Sequence, residues 1–345
     1  MKTKIRKTYN FFIRAAIILL TFGFIYKEIF HKHDFSGILD SFTSMFFESR
    51  FYLNLILVII LMFVNWGVET FKWQFLIRKI EKVSFIKAYE AVLSGVAVSS
   101  FTPNRIGDYF GRVFILEKAN RIEGILITLI GSISQFFIMT FTGTIALAII
   151  VIQFKTELIS YLVISEKMFY LLYAGLGIVA TLIFTFLILL FLNVSIITDF
   201  TSYLLKDRFK KLKSYLKVFK FYSSSEIFKV LGLSFIRYVI FSLQFYILLR
   251  MFMIPIPFFQ GFVIITVIFL IMTFLPTIVI IELGIRGSVS LYFFGLFFTK
   301  AGIASLDYNI GTLAASSTLW LINIAIPALA GAILVFNLKF FRKND

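Results

Sequence analysis

The polar and apolar positions of this chain do not alternate. They separate into long blocks. Unbroken apolar runs fall near residues 9–26, 51–71, 122–153, 168–197, 227–249, 258–281 and 308–337. Each approaches or exceeds the roughly 20 residues that a helix needs to cross the bilayer core. Two shorter pieces, near 84–102 and 286–299, are marginal for a full crossing. They read as broken or re-entrant helices, which persist at membrane depth only where protein or a cavity surrounds them. The pattern predicts an all-α polytopic membrane protein of about 6–8 spans, with two broken or re-entrant segments, one in each half. The first run follows a basic start, as a signal peptide's would. No small-x-small cleavage site follows it, so it is read as a retained span.

Composition agrees and narrows the class. Hydrophobic residues make up 60% and charged residues 15%, against roughly 45–50% and about 25% in soluble domains. This excludes an ordinary soluble enzyme, a disordered chain and a disulfide-stapled secreted module. Unbroken apolar runs argue against a membrane barrel, whose strands alternate. There is no cysteine, which removes thiolate nucleophiles and thiolate metal sites.

The net charge of +16 would suggest nucleic acid in a soluble protein. Here it reads as basic inner loops beside anionic lipid, with no nucleic-acid partner. Twenty-four of the 34 basic residues cluster in one alternating set of loops and termini, and seven fall in the other. The split predicts an inner (plasma) membrane protein with both termini cytoplasmic. Basic clusters flank 84–102 on both sides, so this piece is expected to enter and return. Around 258–299 parity allows either a hairpin or two crossings. Within 201–222, Tyr203, Leu204, Phe209, Leu212, Leu216 and Phe219 recur at helical spacing among lysines. That pattern reads as a basic amphipathic helix on the inner leaflet. It divides a single transmembrane domain into residues 1–200 and 223–345.

Two segments carry candidate chemistry. The first is Phe101-Thr-Pro-Asn-Arg-Ile-Gly-Asp-Tyr-Phe-Gly-Arg112. Thr102 is placed to cap a helix starting at Pro103. Arg105, Asp108 and Arg112 then step by three and four along one face as a charged ladder. Gly107 and Gly111 form a smooth strip where another backbone can approach. A helix N-terminus beside arginines suits an anionic headgroup; the alternative is a set of inner-face anchors.

The second segment is Leu275-Pro-Thr-Ile-Val-Ile-Ile-Glu-Leu-Gly-Ile-Arg-Gly287. Glu282 and Arg286 are one helical turn apart, in a region without other charges from 251 to 299. Pro276, Gly284 and Gly287 are expected to break the helix there. Intramembrane ionisable residues are costly and usually functional; a structural ion pair is the alternative. Paired broken helices in two halves are the usual pointer to a transporter's substrate site.

Glu90, among small residues, and Arg237, two turns into its span, are further candidates for substrate contact. Glu69 and Lys72 are expected to pair at an interface. Asn323 and Pro327 are expected to hold and kink the last span. The two histidines, His31 and His33, make a poor metal site without a third ligand. No phosphate-binding loop or catalytic constellation is present, so neither cofactor nor metal is expected, and the chain is not read as an enzyme.

With both segments in view, the chain resembles the flippase-like transmembrane domain of the lysylphosphatidylglycerol synthase family. The 101–112 stretch is close to the family's Pro-x-Arg-x-Gly-Glu-x-x-Arg pattern. Pro276 followed by Glu282-Leu-Gly-Ile-Arg-Gly287 is similar to its Pro-(Gly-Gly)-x-Gly-x-Arg-Glu. Lys72-Trp73 after the second span and the span order complete the match. Asp108 stands where Glu is usual, the spacing to Arg112 is one longer, and Gly287 stands where an acid would follow Arg286. Lysyl-transferring members add a soluble catalytic domain, whereas this chain ends soon after its last span. The resemblance therefore implies handling or flipping of an anionic phospholipid or polyprenyl-linked lipid, with glycolipid-pathway enzymes as possible partners. A lipid-carrier transferase and a non-transporting scaffold are the alternatives.

Overall fold

The computed structural model describes Leu19 and residues 49–102, 105–195, 210–275, 279–302 and 306–335. The first apolar run apart from Leu19, both histidines, Pro103, Pro276 and residues 201–209 lie outside the described residues. The described residues are all-helical, and six of the helices are long and apolar enough to cross a membrane.

Helix α1 spans Ser49–Ile77. Its buried positions Val58, Met62, Trp66, Glu69, Trp73 and Leu76 recur every three or four residues, and Leu53, Ile56, Ile60 and Phe63 occupy an exposed stripe. The polar groups Asn65, Glu69 and Lys72 lie on the inward side, as expected where the solvent is lipid. This corrects the placement of Lys72 after the second span. It lies inside α1, 1% exposed, because Glu69 one turn earlier pairs with it.

Helix α2, Phe85–Ser99, is capped by Ser84, and α3 spans Gly107–Val113. They pack against each other as a tight hairpin. Its two ends meet at Glu81, whose carboxylate accepts the backbone N–H groups of Glu117, Lys118 and Ala119. This is the enter-and-return geometry expected from the flanking charges. A Cβ on Gly111 would lie 2.5 Å from Gly95 Cα, and one on Gly107 would overlap the Val98 carbonyl. Glycine is thus required where the two backbones touch.

Helix α4 (Arg121–Gln153) leads through the short α5 (Lys155–Leu162) to α6 (Glu166–Leu192), which buries little besides Phe169 and Phe191. The described part of the basic segment is α7, Lys210–Leu216, which tightens into a 3-10 turn over Lys217–Phe221. The Tyr222 hydroxyl then donates to the Leu76 carbonyl at 2.7 Å. Helix α8 (Ser224–Met251) opens with a Ser223–Glu226 capping box and packs along α1, α4 and α6.

Helix α9 covers Phe258–Phe274. At 17 residues and 1.5 Å per residue it falls short of the roughly 30 Å hydrocarbon core. Helix α10, Val279–Lys300, follows as one uninterrupted element. Gly284 and Gly287 therefore do not interrupt the helix as expected. Gly287 instead faces Leu313 of the next helix, 3.0 Å from where its Cβ would be.

The last span consists of α11 (Leu306–Trp320), a π turn (Leu321–Ala325) and α12 (Ile326–Leu334). Pro327 has no N–H to give the Asn323 carbonyl, which accounts for the widened turn. Helix α12 crosses α2 so closely that a Cβ on Gly331 would overlap the Leu93 carbonyl.

Candidate functional site

Where the hairpin meets α1, α4, α8, α9, α10 and the π turn, a cavity of about 480 Å³ opens. Five basic side chains line it: Lys72, Arg105, Arg112, Arg237 and Arg286. Three acids accompany them: Glu69, Asp108 and Glu282. Six of the seven residues expected to contact substrate thus come together from α3, α8, α10 and the loop before α3. The seventh, Glu90, is half-buried on α2 and is not among the lining residues.

Glu69 is the hub. Its Oε1 accepts from Arg112 Nη1 at 2.8 Å, and its Oε2 accepts from Arg237 Nη1 at 2.9 Å. Lys72 Nζ also lies 2.8 Å from Oε2. Lys72 donates further to the Gly131 carbonyl and Ser234 Oγ. Arg237 reaches Asn65 Oδ1 at 3.2 Å and lies over the Trp66 ring. Asn65 in turn donates to Asn323 Oδ1 in the π turn. The network therefore joins elements of both halves. The Asn65, Glu69 and Lys72 spacing was the available signal for the hub, since three polar groups on one face of a span point inward. The sequence reading took Glu69 and Lys72 only as an interface pair.

Arg112 makes a forked pair with Asp108, at 2.8 and 2.6 Å. The expected i, i+4 pairing holds for these two, but the three-member ladder does not. Arg105 precedes α3, which begins at Gly107 and not at Pro103. Thr102 Oγ1 accepts from the Gly107 N–H at 2.8 Å, so it caps the later helix. Arg105 has φ +55°, a left-handed conformation that costs a non-glycine residue on the order of 1–3 kcal/mol. That geometry carries its guanidinium away from the ladder to Glu282, with Nη2 2.5 Å from Oε2.

Glu282 is shared, because its second oxygen accepts from Arg286 Nη2. Arg286 is 3% exposed and lies over the Phe241 and Phe269 rings, 5.5 and 5.8 Å from their centroids. Its Nε and Nη1 atoms are buried without a hydrogen-bond partner among the described residues. The Gln135 Oε1 and Trp66 Nε1 atoms, also on lining residues, are in the same state. Buried charges rarely add net stability over an apolar packing, so their concentration here points to a site.

Apolar side chains also line the cavity: Phe136, Met139, Met272, Phe274 and Leu275. Phe136 on α4 and Phe274 on α9 meet edge to face, with centroids 5.7 Å apart, and are 42% and 59% exposed. The cavity can therefore take both a charged group and an apolar body.

A multi-pass helical membrane protein with an ionised cavity among its spans is the class that this fold and site define. Residues 11–326 match the family described as the lysylphosphatidylglycerol synthase TM region, and the chain belongs to that family. No curated protein and no solved structure matches it.

Proposed function

We propose that the protein moves an anionic phospholipid or polyprenyl-linked lipid between membrane leaflets, with both chain termini on the cytoplasmic side. The observation that carries this reading is the cavity. Its lining combines arginines, of which Arg112 and Arg286 are buried, with a partly exposed aromatic pair. Placing an arginine at membrane depth costs at least about 2.5–3.5 kcal/mol, and an anionic headgroup offsets that cost. Acyl or prenyl chains remain in the lipid phase past Phe136 and Phe274 while the headgroup is held inside. The acids balance the arginines in the empty cavity, and a lipid phosphate competes for them when it is occupied. The basic stretch that includes Lys210, Lys211 and Lys213 supports a surface that gathers anionic lipid on the inner leaflet.

The test is a headgroup-accessibility assay with the full chain reconstituted into vesicles carrying a panel of labelled lipids. Labelled anionic lipid should become accessible from the outside faster than in protein-free vesicles, with zwitterionic lipid unaffected. No acceleration for any anionic lipid would refute the reading.

A further inference from the structure

We propose that the headgroup taken by the cavity is a phosphomonoester dianion at the end of a lipid, anchored on Arg286. The inference rests on the lipid-binding reading above and narrows it. Among the described residues, five basic and three acidic side chains line the cavity, an excess of two positive charges. In a site of low dielectric, such an imbalance is unfavourable until an anion matches it. A zwitterionic lipid leaves both charges unmatched and a phosphodiester leaves one. A dianion closes the balance.

The hydrogen bonds locate where the anion binds. Glu69 is occupied by Lys72, Arg112 and Arg237. Asp108 is occupied by Nε and Nη2 of Arg112. Arg105 and Arg286 divide Glu282 between them. The Arg286 side chain is 4% exposed and gives Glu282 only Nη2, while Nε and Nη1 have no partner among the described residues. A guanidinium carries five N–H groups, and the three on Nε and Nη1 are buried without an acceptor among the described residues. A terminal phosphate has three strong acceptor oxygens and offers more to the edge of the guanidinium that it meets than a diester, which presents two unsubstituted oxygens. Gln135 adds a buried oxygen without a partner that can accept from a hydroxyl or amine beyond the phosphate.

The experiment is competitive lipid binding to the purified full chain, read by native mass spectrometry at about pH 7, where a phosphomonoester is largely doubly charged. The probes are a phosphatidic acid, a polyprenyl monophosphate, a phosphatidylglycerol and a phosphatidylcholine. At least one of the two dianions is expected to bind about tenfold or more tightly than phosphatidylglycerol. Which dianion wins identifies the source of the phosphate. Equal binding of phosphatidylglycerol and both dianions, all above phosphatidylcholine, overturns the dianion assignment and leaves the anionic-lipid reading standing. Equal binding of phosphatidylcholine overturns both. Arg286→Gln is expected to remove the preference for the dianion while leaving weak anion binding; a folded variant that keeps the full preference overturns the anchor. If that variant fails to fold, the ranking of the four lipids by the unaltered chain decides.

Discussion

Arg105 and Glu282 stand 177 residues apart in sequence and meet in one ion pair. The contact fastens the tip of the α2–α3 hairpin to the first turns of α10. Because the Arg105 side chain is 45% exposed, its loss is expected to cost the fold about 1 kcal/mol or less. Arg105→Gln should nonetheless abolish lipid movement in reconstituted vesicles, as should Arg286→Gln. Arg→Lys at either position should rescue only partly, since lysine lacks the planar fork. Gln variants that keep their activity per folded molecule would make the arginines structural.

Glu69 should behave in the opposite way. It is the single carboxylate bound by Lys72, Arg112 and Arg237. Glu69→Gln strands buried cations and is expected to destabilise by about 3–5 kcal/mol, visible as a fall in thermal unfolding temperature in detergent. A variant as stable as the parent protein would mean that the cations find other partners.

The hairpin makes a steric prediction. A Cβ on Gly95 would overlap Asp108 Oδ1 and sit 3.0 Å from Arg112 Cγ. Gly95→Ala should therefore destabilise by about 1–3 kcal/mol through overpacking and also loosen the Asp108–Arg112 fork. Gly331→Ala, which meets the Leu93 backbone, should be at least as costly. Gly232→Ala, with open space around it, serves as the control. Thermal unfolding of the three variants checks the order.

Topology can be tested directly because the chain has no cysteine. Glu81 holds the backbone of 117–119, so the segments on either side of the hairpin share one surface. Arg78→Cys and Lys118→Cys are expected to react with a membrane-impermeant maleimide from the same side. Labelling from opposite sides would replace the hairpin by a crossing.

The spans were legible because lipid demands long apolar runs, and helix periodicity marked Glu282 with Arg286 and Asp108 with Arg112. Their joint cavity was not legible, because it depends on contacts between distant segments. The φ of Arg105 is a local conformation that spacing rules do not encode, so a regular helix from Pro103 gave it the wrong partner. Lys72 was placed after the second span because a basic residue at the end of an apolar run normally lies there. Its role depends on Glu69 lying on the inward stripe of the same helix. Gly284 and Gly287 looked like helix breakers, but tertiary packing overrides a glycine's weak propensity, and α10 runs through both.

The aromatic pair provides the last prediction. Phe136 and Phe274 come from different helices, touch edge to face, line the cavity and are partly exposed. If the lipid's chains pass between α4 and α9, these two helices must separate during each cycle. Joining Phe136→Cys and Phe274→Cys with a short bis-methanethiosulfonate, which forms a disulfide to each cysteine and releases methanesulfinate, should therefore stop lipid movement, and reductant should restore it. Either single-cysteine variant treated in the same way should remain active, because the tether and not the lost ring is what blocks passage. The headgroup-accessibility assay reads all three. Undiminished movement in the cross-linked protein would place the lipid's path elsewhere and leave the aromatic pair as packing between two spans.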